Sequence, residues 1–491
     1  MIKTRFAPSP TGFLHIGGLR TALFAYLLAK KENGNFILRI EDTDKNRFVE
    51  GGMENILNSL KWTGLNIDEG VDLDKSNNIV QKGSLGPYIQ SQRLEIYKKY
   101  IDELIEKGHA YYCFCDKKRL EELRKYQELN KKATGYDGHC RNISLEEVEK
   151  RIANGEKYVV RMKVPKENNT TFEDLVRGKV TFKNEIIDDQ IILKEDGYPT
   201  YHLAVVVDDH LMKVSHIIRG EEWLSSTPKH ILLYNMFSWD IPKFAHLPLL
   251  LNPDKSKLSK RQGDVAVEDY KEKGYLAEAI LNFVAFLGWN PGDNREIFSL
   301  EELIKEFNFK KVNKSGAIFN IEKLNWYNGE YIKKLSLDKL VELSLVFFEK
   351  TDWWKKYKTE DKEKMGKIIA LEQERSKTLL DIPEAVKFIF ELPEYKKELI
   401  VWKKSDLETT NKILQELKEY LETILDEDYT QDKLQEFLVS WIKEKGYGNG
   451  DVLYPMRVVL SGQQNSPGPF EIAEVLGKDE VLNRIKKALK K

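Results

Sequence analysis

Residues 2–18 read IKTRFAPSPTGFLHIGG, and this stretch decides the fold. Ile2–Phe6 is strand-like, and the loop 7–12 that follows contains prolines and a glycine, which exclude regular structure. A helical pattern then runs from about His15 to Lys31, with apolar residues recurring on one face. Phe36–Ile40 is a second strand-like segment. Strand, loop, helix and strand in this order predict a right-handed βαβ unit, which is the start of a doubly wound parallel sheet.

The bulk composition is that of a folded protein with several domains. The chain has 491 residues, of which 41% are hydrophobic and 32% charged, and we expect three or four domains. The formal net charge is -1, so a basic surface for nucleic acid must be local. We see no apolar signal segment after Met1, no run of about 18 apolar residues, and only three cysteines. We therefore expect a cytoplasmic protein without a membrane span.

Downstream of the βαβ unit the pattern changes twice. The segment from about Lys117 to Lys194 mixes a charged helix with strand-like runs and reads as an insertion. Val205–Val207 and Val214–Arg219 are strand-like and predict a return to the first sheet. From about Glu268 the pattern becomes helical.

The last third of the chain is predicted to be almost entirely helical. Two long amphipathic segments, Ser405–Leu425 and Gln431–Lys445, follow helical spacing. We expect the lysine-rich end, Arg484–Lys491, to be a solvated helix terminus.

The motif His15-Ile16-Gly17-Gly18 lies between the proline-containing loop and the first helix. Free backbone N–H groups and the positive end of the helix dipole favour phosphate at such a position. Glycine lets a nucleotide approach the backbone closely, and an imidazole can donate to a phosphate oxygen. Taken alone, the motif fits an ordinary helix-capping loop equally well.

A second polar motif, Lys257-Leu258-Ser259-Lys260-Arg261, lies in a loop flanked by proline and glycine. Its cations and its hydroxyl could close over a triphosphate. A solvated basic loop is the commoner explanation for any single lysine-rich run.

The two motifs together resemble the signatures of the class I aminoacyl-tRNA synthetases. Residues 15–17 resemble the HIGH signature and 257–261 the KMSKS loop, in the expected order at the two ends of a split nucleotide-binding sheet. Gly18 replaces the final histidine of the first signature. The strings RFAPSPTG (5–12), RIEDTD (39–44), DGYPTYH (196–202) and IRGEEW (218–223) narrow the resemblance to the bacterial type of the glutamyl-tRNA synthetase family, over essentially the whole chain.

The resemblance implies an α/β N-terminal half, built on a doubly wound Rossmann-type parallel sheet with an α+β insertion, and an all-α anticodon-binding C-terminal half. The implied domains are the first half of the catalytic domain at 1–115, an acceptor-stem-binding insertion at 116–195, the second half of the catalytic domain at 196–260, a stem-contact helical domain at 261–330, and anticodon-binding helical domains at 331–395 and 396–491.

The activity that the resemblance implies is the ATP-dependent ligation of L-glutamate to tRNA(Glu). Glutamyl-adenylate would form with release of pyrophosphate, and the acyl group would move to the terminal ribose of the tRNA. The implied catalytic residues are His15, Gly17, Lys257, Ser259 and Lys260. The implied ATP-binding residues are Thr11, His15, Gly17, Glu222, Trp223, Leu250 and Lys260, with Mg²⁺ held mostly by phosphates and water.

The implied glutamate pocket consists of Arg5, Ala7, Ser9, Glu41, Tyr201, Val205 and Arg219. A substrate with two carboxylates and one ammonium requires two cations and one carboxylate, which Arg5, Arg219 and Glu41 supply. Taken singly, each arginine fits a surface ion pair. Val205 stands where some members of the family carry an asparagine.

The cysteines, Cys113, Cys115 and Cys140, are spaced like the zinc ligands of some members. Their thiolates could share one tetrahedral Zn²⁺. The fourth ligand of the family, a histidine two residues after the last cysteine, is Asn142 here, and His139 is a nearby alternative. Three thiols without metal in a reducing cell fit the sequence equally well.

Arg375 aligns with an arginine that reads the last anticodon base in discriminating members, although an exposed helical arginine is the simpler interpretation. The implied partners are tRNA(Glu), ATP and L-glutamate, with no membrane, and the family suggests a monomer.

Three other kinds of protein share parts of these patterns. The APSPTG loop and the helical tail disfavour a glutaminyl-type synthetase. A small nucleotidyltransferase would not need the helical tail. A non-catalytic RNA-binding paralogue would have lost the catalytic positions, whereas His15, Arg5 and Glu41 are present.

Overall fold

The computed structural model of the protein describes residues 1–44, 47–258, 266–357, 361–403 and 405–491. They form two compact units, one made of Met1–Lys271 with Ala277–Ile321 and the other of Glu272–Leu276 with Glu322–Lys491. The first unit is α/β and the second is helical. Across the described parts of the chain, none of the helices combines the length and the apolarity that crossing a bilayer requires.

The first unit contains the strands and about half of the helices. Its strands are β1 (Lys3–Phe6), β2 (Asn35–Leu38), β3 (Glu69–Leu73), β4 (Ile79–Lys82), β5 (Ala110–Cys113), β6 (Val159–Met162), β7 (Asn169–Asp174), β8 (Gly178–Lys183), β9 (Ile191–Leu193), β10 (His216–Gly220), β11 (Lys243–Leu247), β12 (Leu250–Leu251) and β13 (Ala317–Ile318). Its helices are α1 (Ile16–Lys31), α2 (Gly52–Trp62), α3 (Leu94–Glu106), α4 (Lys117–Leu129), α5 (Leu145–Ala153), α6 (Tyr201–Leu211), α7 (Thr227–Phe237), α8 (Val267–Glu272), α9 (Ala277–Phe286) and α10 (Leu300–Glu306).

The central sheet of this unit is mainly parallel and doubly wound. Its strand order is β4-β3-β2-β1-β10-β11-β7-β8, with antiparallel pairing at the two edges. β1 lies parallel to β2 on one side and to β10 on the other, so the chain order reverses between β1 and β10. At such a switch point a crevice opens at the carboxyl ends of the strands. The predicted βαβ unit is confirmed, as is the return to the sheet near Val214–Arg219, which forms β10.

One predicted strand is wrong: Val205–Val207 lies inside the helix α6. Residues 203–209 of this helix are all buried, so their apolar run has no polar face and shows no helical periodicity. A short valine run of this kind cannot distinguish a buried helix from a buried strand, and the β-branched side chains favoured the wrong choice.

The segment predicted as an insertion contains helices and two groups of strands. β6 and β9 form a separate three-stranded sheet with β5, which precedes the predicted segment. The hairpin β7–β8 instead extends the central sheet, because β7 pairs in parallel with β11 at Asp174 and Phe244. This hairpin therefore brings Asp174 beside the strands that form the crevice.

The second unit is built from α11 (Ile321–Lys333), α12 (Leu337–Glu349), α13 (Trp354–Tyr357), α14 (Lys362–Ala370), α15 (Asp381–Val386), α16 (Leu407–Thr423), α17 (Gln431–Lys445), α18 (Asn449–Ser461), α19 (Pro469–Leu476) and α20 (Lys478–Leu489). The helices predicted at Ser405–Leu425 and Gln431–Lys445 are confirmed as α16 and α17.

The C-terminal helix is less solvated than the sequence predicts. Lys486 and Lys487 are exposed, but Arg484 is only 2% exposed. Its guanidinium donates to the carbonyl groups of Phe388 and Leu460. The prediction of a solvated terminus is therefore wrong for Arg484, which satisfies carbonyl groups at the ends of other elements.

Candidate active site

A cavity of about 900 Å³ opens at the carboxyl ends of β1 and β10, where the chain order of the sheet reverses. The residues predicted from the sequence that line it are Arg5, Ala7, Ser9, Thr11, His15, Gly17, Glu41, Tyr201, Arg219, Glu222, Trp223, Leu250 and Lys257. Val205 is not among the lining residues and is buried in the hydrophobic core. Ser259 and Lys260 lie outside the described residues.

The N-terminus of α1 forms one wall of the cavity. His15 caps the helix, and its Nδ1 accepts a hydrogen bond of 3.1 Å from the N–H of Gly18. Because Nδ1 is an acceptor, a neutral His15 carries its proton on Nε2. A Cβ atom at Gly17 would lie 2.9 Å from Cε1 of His15, so a larger residue there would displace the imidazole. Together these features make an anion site with an imidazole donor beside it.

A tight turn brings Lys257 to the same cavity. The N–H of Asn252 donates to the carbonyl of Ser256, and the N–H of Leu258 donates to the carbonyl of Leu250. Lys255 adopts the left-handed conformation, with φ of 66°, which reverses the chain. Lys257 therefore lies on the segment that returns beside β12, opposite Leu251. Leu250 of β12 lines the cavity as well.

Arg5 and Glu41 are held by a buried ion network. Arg39 is fully buried and donates to Asp209 at 2.7 Å and to Glu41 at 3.0 Å. Nε of Arg5 donates to the same oxygen of Asp209 at 3.2 Å. Burial raises the pKa of Glu41, and Arg39 and Arg5 offset this only in part.

Asp208 extends this network away from the cavity. Its carboxylate accepts from Nε of Arg93 at 2.7 Å, and from Gln90 and the hydroxyl of Tyr97 at 2.9 Å each. The sequence analysis gave Arg39, Asp208 and Asp209 no role. The sequence did carry a signal, because all three are charged residues next to strongly apolar runs. A charged side chain in such a run is buried only when it is paired.

Arg219, on β10 next to β1, also lines the cavity and is 5% exposed. Its Nη1 donates to the hydroxyl of Tyr201 at 3.1 Å. The ring of Tyr201 packs on that of Trp223 with centroids 4.4 Å apart. Arg219 and Arg5 thus present two guanidinium groups to one cavity that also contains the carboxylate of Glu41.

Several lining residues were not predicted. Thr43, Asp44 and Arg47 follow β2, and Lys194 follows β9. Nζ of Lys194 donates to the carbonyl of Thr43 at 3.4 Å. Thr43 and Asp44 belong to the same polar string, 39–44, as Glu41, and this could have indicated that they line the cavity too.

The cysteines form a candidate metal centre after β5. The Sγ atoms of Cys113, Cys115 and Cys140 lie within 4.8 Å of one another. Four ligands around Zn²⁺ with Zn–S bonds of about 2.3 Å place sulfur atoms about 3.8 Å apart, so the donor set fits zinc. The hydroxyl of Tyr136 lies 3.3 Å from Sγ of Cys113 and 3.6 Å from Sγ of Cys115. His139 is exposed and does not belong to this cluster of ligand atoms.

The surroundings of the cysteines favour one thiolate, at Cys113: hydrogen bonding to Cys113 raises the pKa of Cys140, and burial raises the pKa of Tyr136. Hydrogen bonds from Cys140 and Tyr136 lower the pKa of Cys113, although burial opposes them. The guanidinium carbon of Arg161 lies 3.7 Å from the centroid of the Tyr136 ring.

Arg375 lies in the second unit, between α14 and α15. Its side chain is 44% exposed and contacts the carboxylate of Glu372 at 3.4 Å. Nη1 donates to the carbonyl of Ser466 at 3.1 Å. The guanidinium is thus fixed in direction while part of it remains open to solvent.

Comparison with known proteins assigns the class. The family model described as "tRNA synthetases class I (E and Q), catalytic domain" matches residues 1–326, and the one described as "Anticodon binding domain" matches residues 339–489. The chain belongs to the glutamate and glutamine group of the class I tRNA synthetases.

Within this group, the relatives are glutamate–tRNA ligases. That of Finegoldia magna is 48% identical over 506 residues, which cover 99% of this chain and 99% of the relative. That of Clostridium novyi is 48% identical over 100% of this chain and 98% of the relative. Among solved structures, a glutamate tRNA ligase from Elizabethkingia meningosepticum in complex with its amino acid has a TM-score of 0.87 and 38% identity, with 100% of this chain and 99% of that chain covered.

Proposed function

We propose that this chain ligates L-glutamate to tRNA(Glu) with ATP in two steps. Glutamyl-adenylate forms with release of pyrophosphate, and the glutamyl group is then transferred to the terminal ribose of the tRNA. The observation that carries the proposal is one cavity that combines two buried arginines, a buried carboxylate and the N-terminus of α1. These groups match the charges of glutamate and the phosphates of ATP.

In the proposal, L-glutamate binds between Arg5, Arg219 and Glu41. The ionised Glu41 takes the ammonium group, and the two arginines take the two carboxylates. Guanidinium suits this task because it stays charged when buried and can bind a carboxylate with two hydrogen bonds. The hydroxyl groups of Ser9 and Tyr201 complete the contacts, and Ala7 lines the same wall.

ATP binds with its adenine against Trp223 and Leu250 and its phosphates at the start of α1. Thr11, Gly17 and Glu222 also line the cavity. Nε2–H of His15 donates to a phosphate oxygen. Mg²⁺, held by the phosphates and water, neutralises part of their charge.

The first chemical step needs positioning rather than a covalent nucleophile of the protein. A carboxylate oxygen of glutamate bonds to the α-phosphorus of ATP as the bond from that phosphorus to the bridging oxygen breaks. The electron pair of that bond leaves with pyrophosphate. Lys257 adds positive charge near the leaving phosphates, and by resemblance Ser259 and Lys260 act in the same loop.

The direct test is charging with labelled glutamate and ATP, using purified glutamate tRNA, purified glutamine tRNA and no tRNA. We expect charging of glutamate tRNA. We also propose that the enzyme is cytoplasmic and monomeric, so that it sediments as one chain. Absence of charging with either tRNA would refute the proposed function, and sedimentation as a dimer would refute the monomer.

We further propose that Cys113, Cys115, Cys140 and Tyr136 hold one structural Zn²⁺. The metal would tie the segment 136–140 to the end of β5 and would take no part in the chemistry. The fourth donor in this proposal is the tyrosine hydroxyl, because it is the group that lies beside the thiols.

The zinc proposal predicts about one zinc per chain after purification without chelators. Tyr136→Phe should lower zinc affinity at least about tenfold, because it removes one donor and leaves the thiolates in place. Tyr126→Phe in α4 and His139→Asn are the matched controls and should retain zinc. Loss of zinc in His139→Asn but not in Tyr136→Phe would reverse the assignment.

A further inference from the structure

Every N–H group of the buried Arg219 guanidinium donates to a neutral acceptor. Nε donates to Nε2 of His246 at 3.1 Å, Nη1 to the Tyr201 hydroxyl at 3.1 Å and to Nδ1 of His230 at 3.2 Å, and Nη2 to the Thr227 hydroxyl at 2.8 Å and to the Trp223 carbonyl at 3.5 Å. The last contact is at the outer limit of a hydrogen bond, so this N–H can be redirected to a ligand.

The positive charge of Arg219 is therefore not neutralised by the protein. Within the described ranges of the chain, no carboxylate forms an ion pair with its guanidinium, whereas Arg5 is paired with Asp209. A buried cation without a counter-ion is costly, and a bound carboxylate removes that cost. The cavity thus attracts an anion at Arg219 because the surrounding acceptors are uncharged.

His246 can accept from Arg219 only as one of its two neutral tautomers. Its Nδ1 lies 2.6 Å from Oδ2 of Asp174, and a carboxylate can only accept, so Nδ1 carries the proton. Nε2 is then left with a lone pair, which faces Nε of Arg219 and the hydroxyl of Thr227, each at 3.1 Å. Burial lowers the pKa of His246, which keeps the imidazole neutral even beside Asp174.

Asp174 is itself held in a fixed orientation. Its Oδ1 accepts from the N–H groups of Val176 at 2.9 Å and Arg177 at 2.8 Å, and its Oδ2 faces His246. Burial would raise the pKa of Asp174, but the hydrogen bonds from His246 and the backbone lower it, so the carboxylate stays ionised. The hairpin β7–β8 thereby supplies the group that sets the tautomer of an imidazole on β11.

His230 accepts from Arg219 in the same way on the other side. Its Nδ1 is the acceptor, so Nε2 carries the proton and donates to Nδ1 of His202 at 3.0 Å. Burial lowers the pKa of His230 well below its usual value and that of His202 to about 4, so both rings are neutral. The two histidine contacts orient the guanidinium from both sides without pairing its charge.

We infer that Asp174 and His246 are positioning residues for substrate binding: Asp174 fixes the tautomer of His246, and His246 holds Arg219 through a lone pair while leaving its charge for a substrate carboxylate. Neither residue touches the substrate. An acidic residue in place of His246 would compete with the substrate carboxylate for Arg219. The identity of that substrate as glutamate rests on the proposed function.

The test is a double-mutant cycle of Asp174→Asn and His246→Gln, with the Michaelis constants for glutamate and ATP measured separately. In D174N, the amide oxygen at the Oδ1 position keeps the hydrogen bonds from the N–H groups of Val176 and Arg177 and the longer one, of 3.3 Å, from the N–H of His246, while the N–H₂ faces Nδ1 of His246. The proton of the imidazole then moves to Nε2, where it opposes the N–H of Arg219. We expect KM for glutamate to rise roughly 10- to 100-fold and KM for ATP to change less than about twofold.

In the H246Q background the tautomer no longer matters, because the glutamine carbonyl oxygen can accept from Arg219. The additional effect of D174N on KM for glutamate should then fall below about threefold. If D174N raises KM equally in both backgrounds, Asp174 only docks the hairpin and the inference is wrong. His216→Gln on β10, a buried histidine outside this set, is the matched control and should leave KM unchanged.

The tautomer can also be observed without any activity measurement. In protein labelled with ¹⁵N-histidine, the His246 ring, identified by its loss in H246Q, should show protonated Nδ1 in the wild type and protonated Nε2 in D174N. The opposite wild-type tautomer would overturn the inference. A wild type that does not activate glutamate would instead refute the proposed function, with this spectrum still deciding the role of Asp174.

Discussion

At the scale of single residues, protonation states in the cavity are set by neighbours. Glu41 is 6% exposed, and burial raises its pKa, while Arg39 and Arg5 partly oppose that shift. A carboxyl group with a raised pKa becomes neutral at a higher pH than an exposed one. Because only the ionised form attracts an ammonium group, glutamate binding should depend on pH through this residue.

We predict that kcat/KM for glutamate falls as the pH is lowered through the raised pKa of Glu41. Glu41→Gln should raise KM for glutamate roughly 10- to 100-fold and remove this acidic limb, because the amide does not titrate. Activation measured by ATP–pyrophosphate exchange over a pH series checks both effects. An acidic limb that is unchanged in the variant would assign the titration to another group.

At the scale of elements, α6 connects the amino-acid pocket to the ion network. Tyr201 at its start lines the cavity, and Asp208 and Asp209 near its end pair with arginines from other elements. Asp208 is fully buried and accepts hydrogen bonds from three side chains. Removing one partner of such a pair leaves the other charge buried without compensation.

Asp208→Ala should lower the free energy of unfolding by about 3–5 kcal/mol, because Arg93 is then a buried unpaired cation. Urea unfolding of the full chain measures this change. Asp240→Ala, an exposed aspartate after α7, is the control and should change stability by less than about 0.5 kcal/mol. Similar values for the two variants would mean that the network does not stabilise the fold.

The elements also differ in how well the sequence predicts them. β1, α1 and β2 were predicted because the proline-containing loop separates the first strand from the helix and because α1, with 16 residues, is too long for a buried strand, although its residues 22–27 are all buried. α6 was not, because it is buried on all sides and presents no periodic polar face. The hairpin β7–β8 was predicted only as part of an insertion, since nothing local to residues 169–183 indicates that β7 pairs with β11.

At the scale of the whole molecule, the site depends on strand order. Arg5 and Arg219 come from β1 and β10, which are neighbours only because the chain order of the sheet reverses between them. Arg5 and Arg219 could be named from the sequence because they lie in the family strings 5–12 and 218–223. Residues that act through pairing, such as Asp174 and His246, could not, because the two partners lie far apart along the chain.

The second unit carries the remaining prediction, which concerns the choice of tRNA. Arg375→Gln should raise charging of glutamine tRNA relative to glutamate tRNA, because a fixed, half-exposed guanidinium suits the reading of a base. The measurement is the ratio of kcat/KM for the two tRNAs. Lys377→Gln, a nearby exposed lysine, should weaken both tRNAs alike. An unchanged ratio in Arg375→Gln would exclude the role.

We propose that the carboxylate held by Arg219 is the one on the side chain of the substrate, so that the buried charge of Arg219 selects glutamate over glutamine. The most direct test is kcat/KM for activation of glutamate and of glutamine by the wild type and by Arg219→Gln, with the exposed Arg295→Gln as control. We predict a wild-type preference for glutamate of at least about 1000-fold, which Arg295→Gln retains and Arg219→Gln reduces at least about 100-fold. A preference that survives in Arg219→Gln would show that Arg219 does not select the substrate and would place that choice elsewhere in the cavity.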